Sequence, residues 1–124
     1  MAWSINRSAE GRYIEVVFAG SVLSGELADA VRETLRQAVE HRLVRILADC
    51  TQLEGGHTFA DLVEVIGEMR DRGLEGRYRE AVLLPAKPQV VPLAEFWETA
   101  CLNRGFIVQL FNDRTAALDW LCTP

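Results

Sequence analysis

Two short polar segments carry the side chains whose types and spacing are suited to chemistry. Asp49 ends an apolar run and is followed by Thr51, and a Gly-Gly pair precedes His57 and Thr58. A carboxylate and an imidazole are the groups of general acid–base catalysis. The same carboxylate can instead form a turn by accepting hydrogen bonds from the next backbone N–H groups. Both interpretations are open for Asp49, and the four residues form a candidate binding site for a ligand or a protein partner.

Thr58 stands three positions before Asp61, which is the spacing of a capping box. In this interpretation each side chain accepts a hydrogen bond from a backbone N–H at the start of a helix. A hydroxyl at this place is also a candidate phosphoacceptor. The preceding Gly55 and Gly56 form either a plain surface loop or, with the free N–H groups of the helix, an anion site.

Other motifs of catalysis are absent from the sequence. No serine or cysteine stands in a nucleophile elbow, and there is no P-loop Gly-Lys-Ser/Thr. The histidines are His41 and His57, and the three cysteines (Cys50, Cys101 and Cys122) show no CxxC spacing. We therefore predict no metal site and no cofactor, and we expect a protein that is not an enzyme. The odd number of cysteines favours reduced thiols.

Composition and charge limit the class of protein. The chain has 124 residues, of which 49% are hydrophobic and 25% charged, and this predicts one domain over residues 1–124. The net charge of −5 disfavours binding to nucleic acid or to an anionic membrane surface. No apolar stretch has the length of a membrane span, and the N-terminus lacks the core of a signal peptide. We expect a cytoplasmic protein that does not insert into a membrane.

The elements that position the candidate residues alternate along the chain. Period-two alternation and short apolar runs predict strands at 3–6, 13–19, 43–49, 81–84 and 106–111. Helical spacing predicts a helix capped by Ser24 and ending near 41, helices over 58–72 and 91–103, and a short last helix capped by Asn112–Asp113. The order ββαβαβαβα predicts an α/β fold with a mostly parallel sheet of four to five strands, an antiparallel N-terminal strand and about four helices.

Ligands of such sheets bind outside the carboxyl ends of the strands. That edge holds the segments 49–58 and 85–88. The proline-rich segment 85–92 either covers the end of the sheet or lines a groove or dimer contact. The mixed charges of 75–80 predict a solvated turn.

The order and spacing of six segments resemble the STAS-like superfamily, which is also called SpoIIAA-like. These segments are 18–20, 47–51, 60–62, 103–106, 110–113 and 116–121. The superfamily includes bacterial anti-sigma factor antagonists and cytoplasmic domains of sulphate transporters. The chain looks closest to a branch of small stand-alone proteins, mostly uncharacterised, with a link to CRAL-TRIO lipid-binding domains. The resemblance covers nearly the whole chain and implies a STAS-like fold.

The chain departs from the family at its regulatory serine. Anti-sigma factor antagonists carry a phosphorylated serine in an Asp-Ser-Ser-Gly turn at the start of the second helix. The matching stretch here is 56–60, where Thr58 is the one hydroxyl at a corresponding place. The resemblance therefore does not carry the phosphorylation switch to this chain.

Two functions follow from the resemblance and from the missing catalytic motifs. The first is a regulatory or protein-interaction module that binds a partner, or a second copy of itself, through the second helix and the loop before it. The second is a domain that binds a small molecule or lipid in an apolar cleft between the second and third helices. The residues that we expect to line this cleft are Phe59, Val63, Ile66, Leu93, Phe96 and Trp97.

Overall fold

The computed structural model describes residues 2–123, which form one five-stranded sheet and four helices. The strands are β1 (Trp3–Arg7), β2 (Ile14–Ser21), β3 (Arg45–Gly55), β4 (Arg79–Leu83) and β5 (Ile107–Phe111). The helices are α1 (Ser24–His41), α2 (Phe59–Asp71), α3 (Val91–Leu102) and α4 (Arg114–Cys122). The strands follow one another across the sheet in chain order, β1 antiparallel to β2 and the others parallel. This is the predicted α/β architecture.

The alternation of side chains along the strands divides the core between the two faces of the sheet. One face packs against α1, α2 and α3, and on β2 it presents Ile14, Val16 and Phe18. The opposite face packs against α4 through Leu47 on β3 and Ala81 and Leu83 on β4. The helices therefore cover the sheet unequally, with three on one side and one on the other.

Strand β3 is longer than its apolar run predicts. The predicted strand ends at Asp49, whereas β3 continues to Gly55. Val17 pairs with Asp49 and Ala19 with Gln52, so β3 carries one extra residue, and a second irregularity lies near Gly55. Such a bulge shifts the alternation by one position. Cys50 and Leu53 consequently both face the three-helix side, and the exposed polar residues between them hid the strand from a hydrophobicity pattern.

Two details of the predicted helices are wrong. The N-cap of α1 is Leu23 rather than Ser24, and the Leu23 N–H donates to Glu26 Oε1 over 3.1 Å. Phe59 and Val63 of α2, which we expect from the sequence to line the cleft, are 48% and 38% exposed, while Val65 is buried. Only a narrow row of α2 residues packs into the core, and Phe59 and Val63 lie beside this row.

Within residues 2–123, none of the four helices combines the length and the apolar character that a membrane-spanning segment requires.

Candidate functional site

An apolar cavity of about 110 Å³ lies between the sheet and the three helices α1, α2 and α3. Strands β2 to β5 contribute to its wall together with all three helices. Its apolar wall includes Phe18, Leu35, Leu62, Leu93, Phe106 and Val108. An apolar cavity of roughly 150 Å³ in another protein is known to bind benzene, so a volume of this order can admit a small molecule.

Glu80 is an acidic side chain in the wall of this apolar cavity. It lies on β4, where it pairs with Ile46 of β3 and Val108 of β5. Glu80 and Val82 face the cavity, whereas Ala81 between them belongs to the core under α4. The prediction of a solvated turn over 75–80 is therefore wrong for Glu80, which is partly buried inside the sheet.

Trp97 of α3 provides the hydrogen bond that holds Glu80. The indole Nε1–H donates to Glu80 Oε1 over 2.6 Å. Within residues 2–123, Oε2 has no hydrogen-bond partner, and no buried side-chain oxygen or nitrogen is left unsatisfied. Oε2 therefore keeps accessible surface, and Glu80 is one of the residues that line the cavity.

Burial raises the pKa of Glu80 to about 7, against an ordinary value of 4.5. The hydrogen bond from Trp97 acts in the opposite direction, because it favours the ionised form. At neutral pH both the acid and the carboxylate are therefore populated. A strongly perturbed titratable group in a cavity is a mark of functional sites.

Two thiols share the cavity wall with Glu80. Burial raises the pKa of Cys50 and of Cys101, and the negative charge of Glu80 raises both further. The reactive form of cysteine is the thiolate. These two cysteines accordingly remain protonated and act as apolar wall rather than as nucleophiles.

The structure does not bring Asp49 and His57 together. Asp49 Oδ1 accepts hydrogen bonds from the Thr51 N–H (2.9 Å) and Thr51 Oγ1 (2.6 Å), which is the turn interpretation. Asp49 lies two positions after Leu47 on β3, before the bulge, so its side chain points to the same face as Leu47, the α4 side of the sheet. His57 lines the cavity on the opposite side. The sheet separates the two groups, and they form no acid–base pair.

His57 is fixed by a close approach of two loops. Its Nδ1 donates to the Val22 carbonyl oxygen, 2.8 Å away. The preceding Gly56 has a φ of +102°, and a Cβ at this position would lie 2.6 Å from Ser21 Oγ and 2.7 Å from Val22 N. A glycine is required where the backbone passes this close. The loop before α2 thus packs tightly against the connection from β2 to α1.

Thr58 and Asp61 form the predicted capping box. The Asp61 N–H donates to Thr58 Oγ1 over 3.2 Å, and the Thr58 N–H donates to Asp61 Oδ2 over 2.8 Å. This confirms Thr58 as the N-cap of α2. Thr58 is also exposed, and its part as a phosphoacceptor stays a prediction.

The six residues of the predicted cleft divide into two groups. Leu93 and Trp97 line the cavity, and Ile66 is fully buried in the core beside it. Phe59 instead stacks on Phe96 at the surface, with ring centroids 4.6 Å apart and planes at 17°. Val63 follows Phe59 by one helical turn and is also exposed. We call Phe59, Val63 and Phe96 the α2–α3 patch.

The proline-rich segment 85–92 covers the end of the sheet. Pro85 and Val90 are buried, and the Ala86 N–H donates to the Thr51 carbonyl over 3.2 Å. Lys87 forms an ion pair with Glu54 of β3. The segment therefore closes over the bulged end of β3.

Across residues 2–123, no three His, Cys, Asp or Glu side chains are grouped closely enough to hold a metal ion.

Comparison with known proteins identifies the fold to which this architecture is similar. No protein-family model matches the chain, and no curated protein is similar to it. A solved structure from Shewanella loihica PV-4, an uncharacterized protein of the DUF3478 family with a SpoIIAA-like fold, matches with a TM-score of 0.61. The match covers 98% of this chain and 93% of that one, at 22% identity. The protein has a SpoIIAA-like fold. The predicted resemblance in fold is thus confirmed.

The role of Glu80 as the acidic residue in the cavity wall of this SpoIIAA-like domain was not predicted from the sequence. Glu80 was assigned to a solvated run because charged residues surround it in the sequence. The alternation of Tyr78, Glu80 and Val82 could have indicated that Glu80 faces the core. Side chains two positions apart on a strand point to the same face, and all three residues line the cavity. The helical spacing over 91–103 predicts Cys101 on the apolar stripe of that helix, and only the tertiary structure places it in the same cavity wall as Glu80.

Proposed function

We propose that the protein binds a small, largely apolar molecule in the cavity and acts as a non-enzymatic recognition module. The observation that carries the proposal is a cavity with apolar walls around one partly buried carboxylate, Glu80. Ligand sites combine apolar walls with a few convergent polar groups in this way. The free cysteines suit a reducing compartment, and we place this activity in the cytoplasm.

The cavity volume limits the size of the ligand. Sites for drug-sized molecules occupy about 300–1,000 Å³. A volume of about 110 Å³ is smaller, and suits about four or five non-hydrogen atoms. The ligand is therefore either a small molecule or the short apolar end of a larger one.

A titration with 2-methylbutane tests the proposal. We expect saturable shifts in the methyl ¹³C–¹H NMR signals of Leu93, Val82 and Val108, which all line the cavity. Ala94 also lines it, so Ala94→Ile fills the space and should weaken these shifts at least tenfold. Ala116→Ile, at an exposed position of α4, is the matched control and should bind like the wild type. Absence of saturable shifts in the wild-type protein would contradict the proposal.

A second candidate function, a regulatory protein-interaction module, is supported by the α2–α3 patch. Phe59 is 48% exposed, which is unusual for a phenylalanine, and it stacks on Phe96 directly after the cap residue Thr58. Aromatic side chains are enriched at protein interfaces. In this proposal the patch contacts a protein partner or a second copy of the chain, and Thr58 lies at its margin.

Site-specific crosslinking in the native host tests this second candidate. A photoreactive phenylalanine analogue at position 59 should yield one covalent adduct of defined mass. The same analogue at Val39, an exposed residue of α1, should yield none. An adduct of twice the mass of the chain would assign the patch to a homodimer. Equal yields from the two positions, or no adduct from either, would refute the candidate.

A further inference from the structure

We propose that the head group of the ligand is a small aliphatic ammonium ion that pairs with Glu80. This inference rests on the proposed binding function and adds the chemical class of the ligand.

The hydrogen bonds of Glu80 leave one acceptor for a ligand. Oε1 accepts from Trp97 Nε1, whereas Oε2 has no partner among residues 2–123 and keeps accessible surface, on a residue that lines the cavity. Apart from Glu80, the cavity wall is formed mainly by aliphatic and aromatic side chains. A ligand that donates one hydrogen bond from an otherwise apolar body would satisfy Oε2 and fill the remaining space.

The charges around the cavity favour a cation. Among residues 2–123, no lysine or arginine lines it, and the other titratable groups in its wall are Cys50, His57, Tyr78 and Cys101. Arg104 acts on Cys101 electrostatically, but its side chain donates to the Ala100 carbonyl and does not line the cavity. An ionised Glu80 therefore lacks a counter-charge. An ammonium ion supplies one, whereas a carboxylate ligand would be repelled.

The number of free acceptors also selects among amines. A tertiary ammonium ion has a single N–H, which matches the single free oxygen of Glu80 and leaves no unsatisfied donor in an apolar space. Trp97, Tyr78 and Phe106 contribute aromatic rings to the wall, and cations are attracted to the faces of such rings. N,N-dimethylethylamine has this head group and the size of about five non-hydrogen atoms that the volume permits.

Binding of the ammonium ion should depend on pH, because the pair requires an ionised Glu80. Burial holds the pKa of Glu80 at about 7, so the ionised fraction increases about tenfold from pH 6 to pH 8. The amine stays charged throughout this range. Its affinity should increase about tenfold over these two units, and the affinity of an uncharged ligand should not change in parallel.

The test compares N,N-dimethylethylamine with 2-methylbutane, which has a C–H in place of the N–H. Both are titrated by methyl NMR into the wild type and Glu80→Gln, at pH 6 and pH 8. We expect Glu80→Gln to weaken amine binding at least tenfold at pH 8 and to abolish its pH dependence. Saturable shifts of the same variant with 2-methylbutane verify that it is folded and that its cavity is intact.

The outcomes separate the inference from the function on which it rests. If 2-methylbutane does not bind, the proposed function fails. If 2-methylbutane binds but the amine does not, or if the amine binds equally to wild type and Glu80→Gln, the ammonium inference is overturned while the binding function stands. Tighter binding of isobutyrate than of the amine at pH 8 would also overturn it.

Discussion

Replacement of Glu80 by glutamine is expected to stabilise the fold by about 3 kcal/mol at pH 8 and to have little effect near pH 4. Glutamine removes the charge that burial disfavours. Its side-chain carbonyl can still accept the hydrogen bond from Trp97 Nε1, which spans 2.6 Å in the native protein. The measurement is the free energy of unfolding by urea for both proteins at intervals between pH 4 and pH 8.

The sign follows from the two pKa values of Glu80. The folded-state pKa is about 7, above the ordinary value of 4.5 that we assign to the unfolded chain. Well below pH 4.5 the side chain is protonated in both states and carries no penalty. As the pH rises towards 7, the unfolded state ionises first, and the stability of the wild type falls by about 1.4 kcal/mol per pH unit. The glutamine variant lacks this loss.

A glutamate outside the cavity provides the control. Glu64 is an exposed residue of α2, and Glu64→Gln should follow the pH profile of the wild type. If Glu80→Gln gave the same profile as Glu64→Gln, Glu80 would not be the buried acid that the structure describes. A fall in stability at pH 8 would contradict the account more strongly.

Replacement of Gly56 by alanine should destabilise the protein by about 2–4 kcal/mol. The added Cβ would lie 2.6 Å from Ser21 Oγ, 2.7 Å from Val22 N and 2.8 Å from Val22 O. Two of these three atoms belong to the backbone and cannot move aside as a flexible side chain can. The φ of +102° adds strain for any L side chain. Urea unfolding measures the loss of stability.

Gly67 is the matched control, since it lies inside α2 and a Cβ there would meet nothing within 4 Å. Alanine is favoured over glycine in a helix interior, and Gly67→Ala should stabilise by up to about 1 kcal/mol. Equal effects of the two substitutions would show that the loop before α2 is not closely packed. The assignment of His57 to the cavity wall would then fail as well, because the same loop positions it.

The sequence predicted the fold well because the signals for its elements are local. Apolar alternation indicated β2, helical spacing indicated α1, and the spacing of Thr58 and Asp61 indicated the capping box. Each signal lies within one element and survives folding unchanged. Strand β3 was the exception, because its last part is stabilised by pairing with β2 rather than by burial of alternate side chains.

The site could be predicted only in part because it depends on contacts between distant segments. Leu93 and Trp97 were recognised as apolar residues of α3 that face a cleft. Glu80, which accepts a hydrogen bond from Trp97, lies seventeen positions before it in the chain. The charged residues next to Glu80 in the sequence hid the fact that it belongs to a strand that faces the cavity. Asp49 and His57 are close in sequence, and the sequence suggested that they lie in one loop. Residues 49–55 instead continue strand β3, and the two side chains lie on opposite sides of the sheet.

Diffraction from crystals equilibrated with xenon tests the existence of a ligand-binding cavity most directly. Xenon occupies apolar cavities that are large enough to hold it, and its anomalous signal locates it without a fitted ligand. We expect one xenon site between β4 and α3, in contact with Leu93 and Trp97. Crystals in which xenon occupies surface positions alone, with Leu93 and Trp97 packed against the sheet, would contradict it.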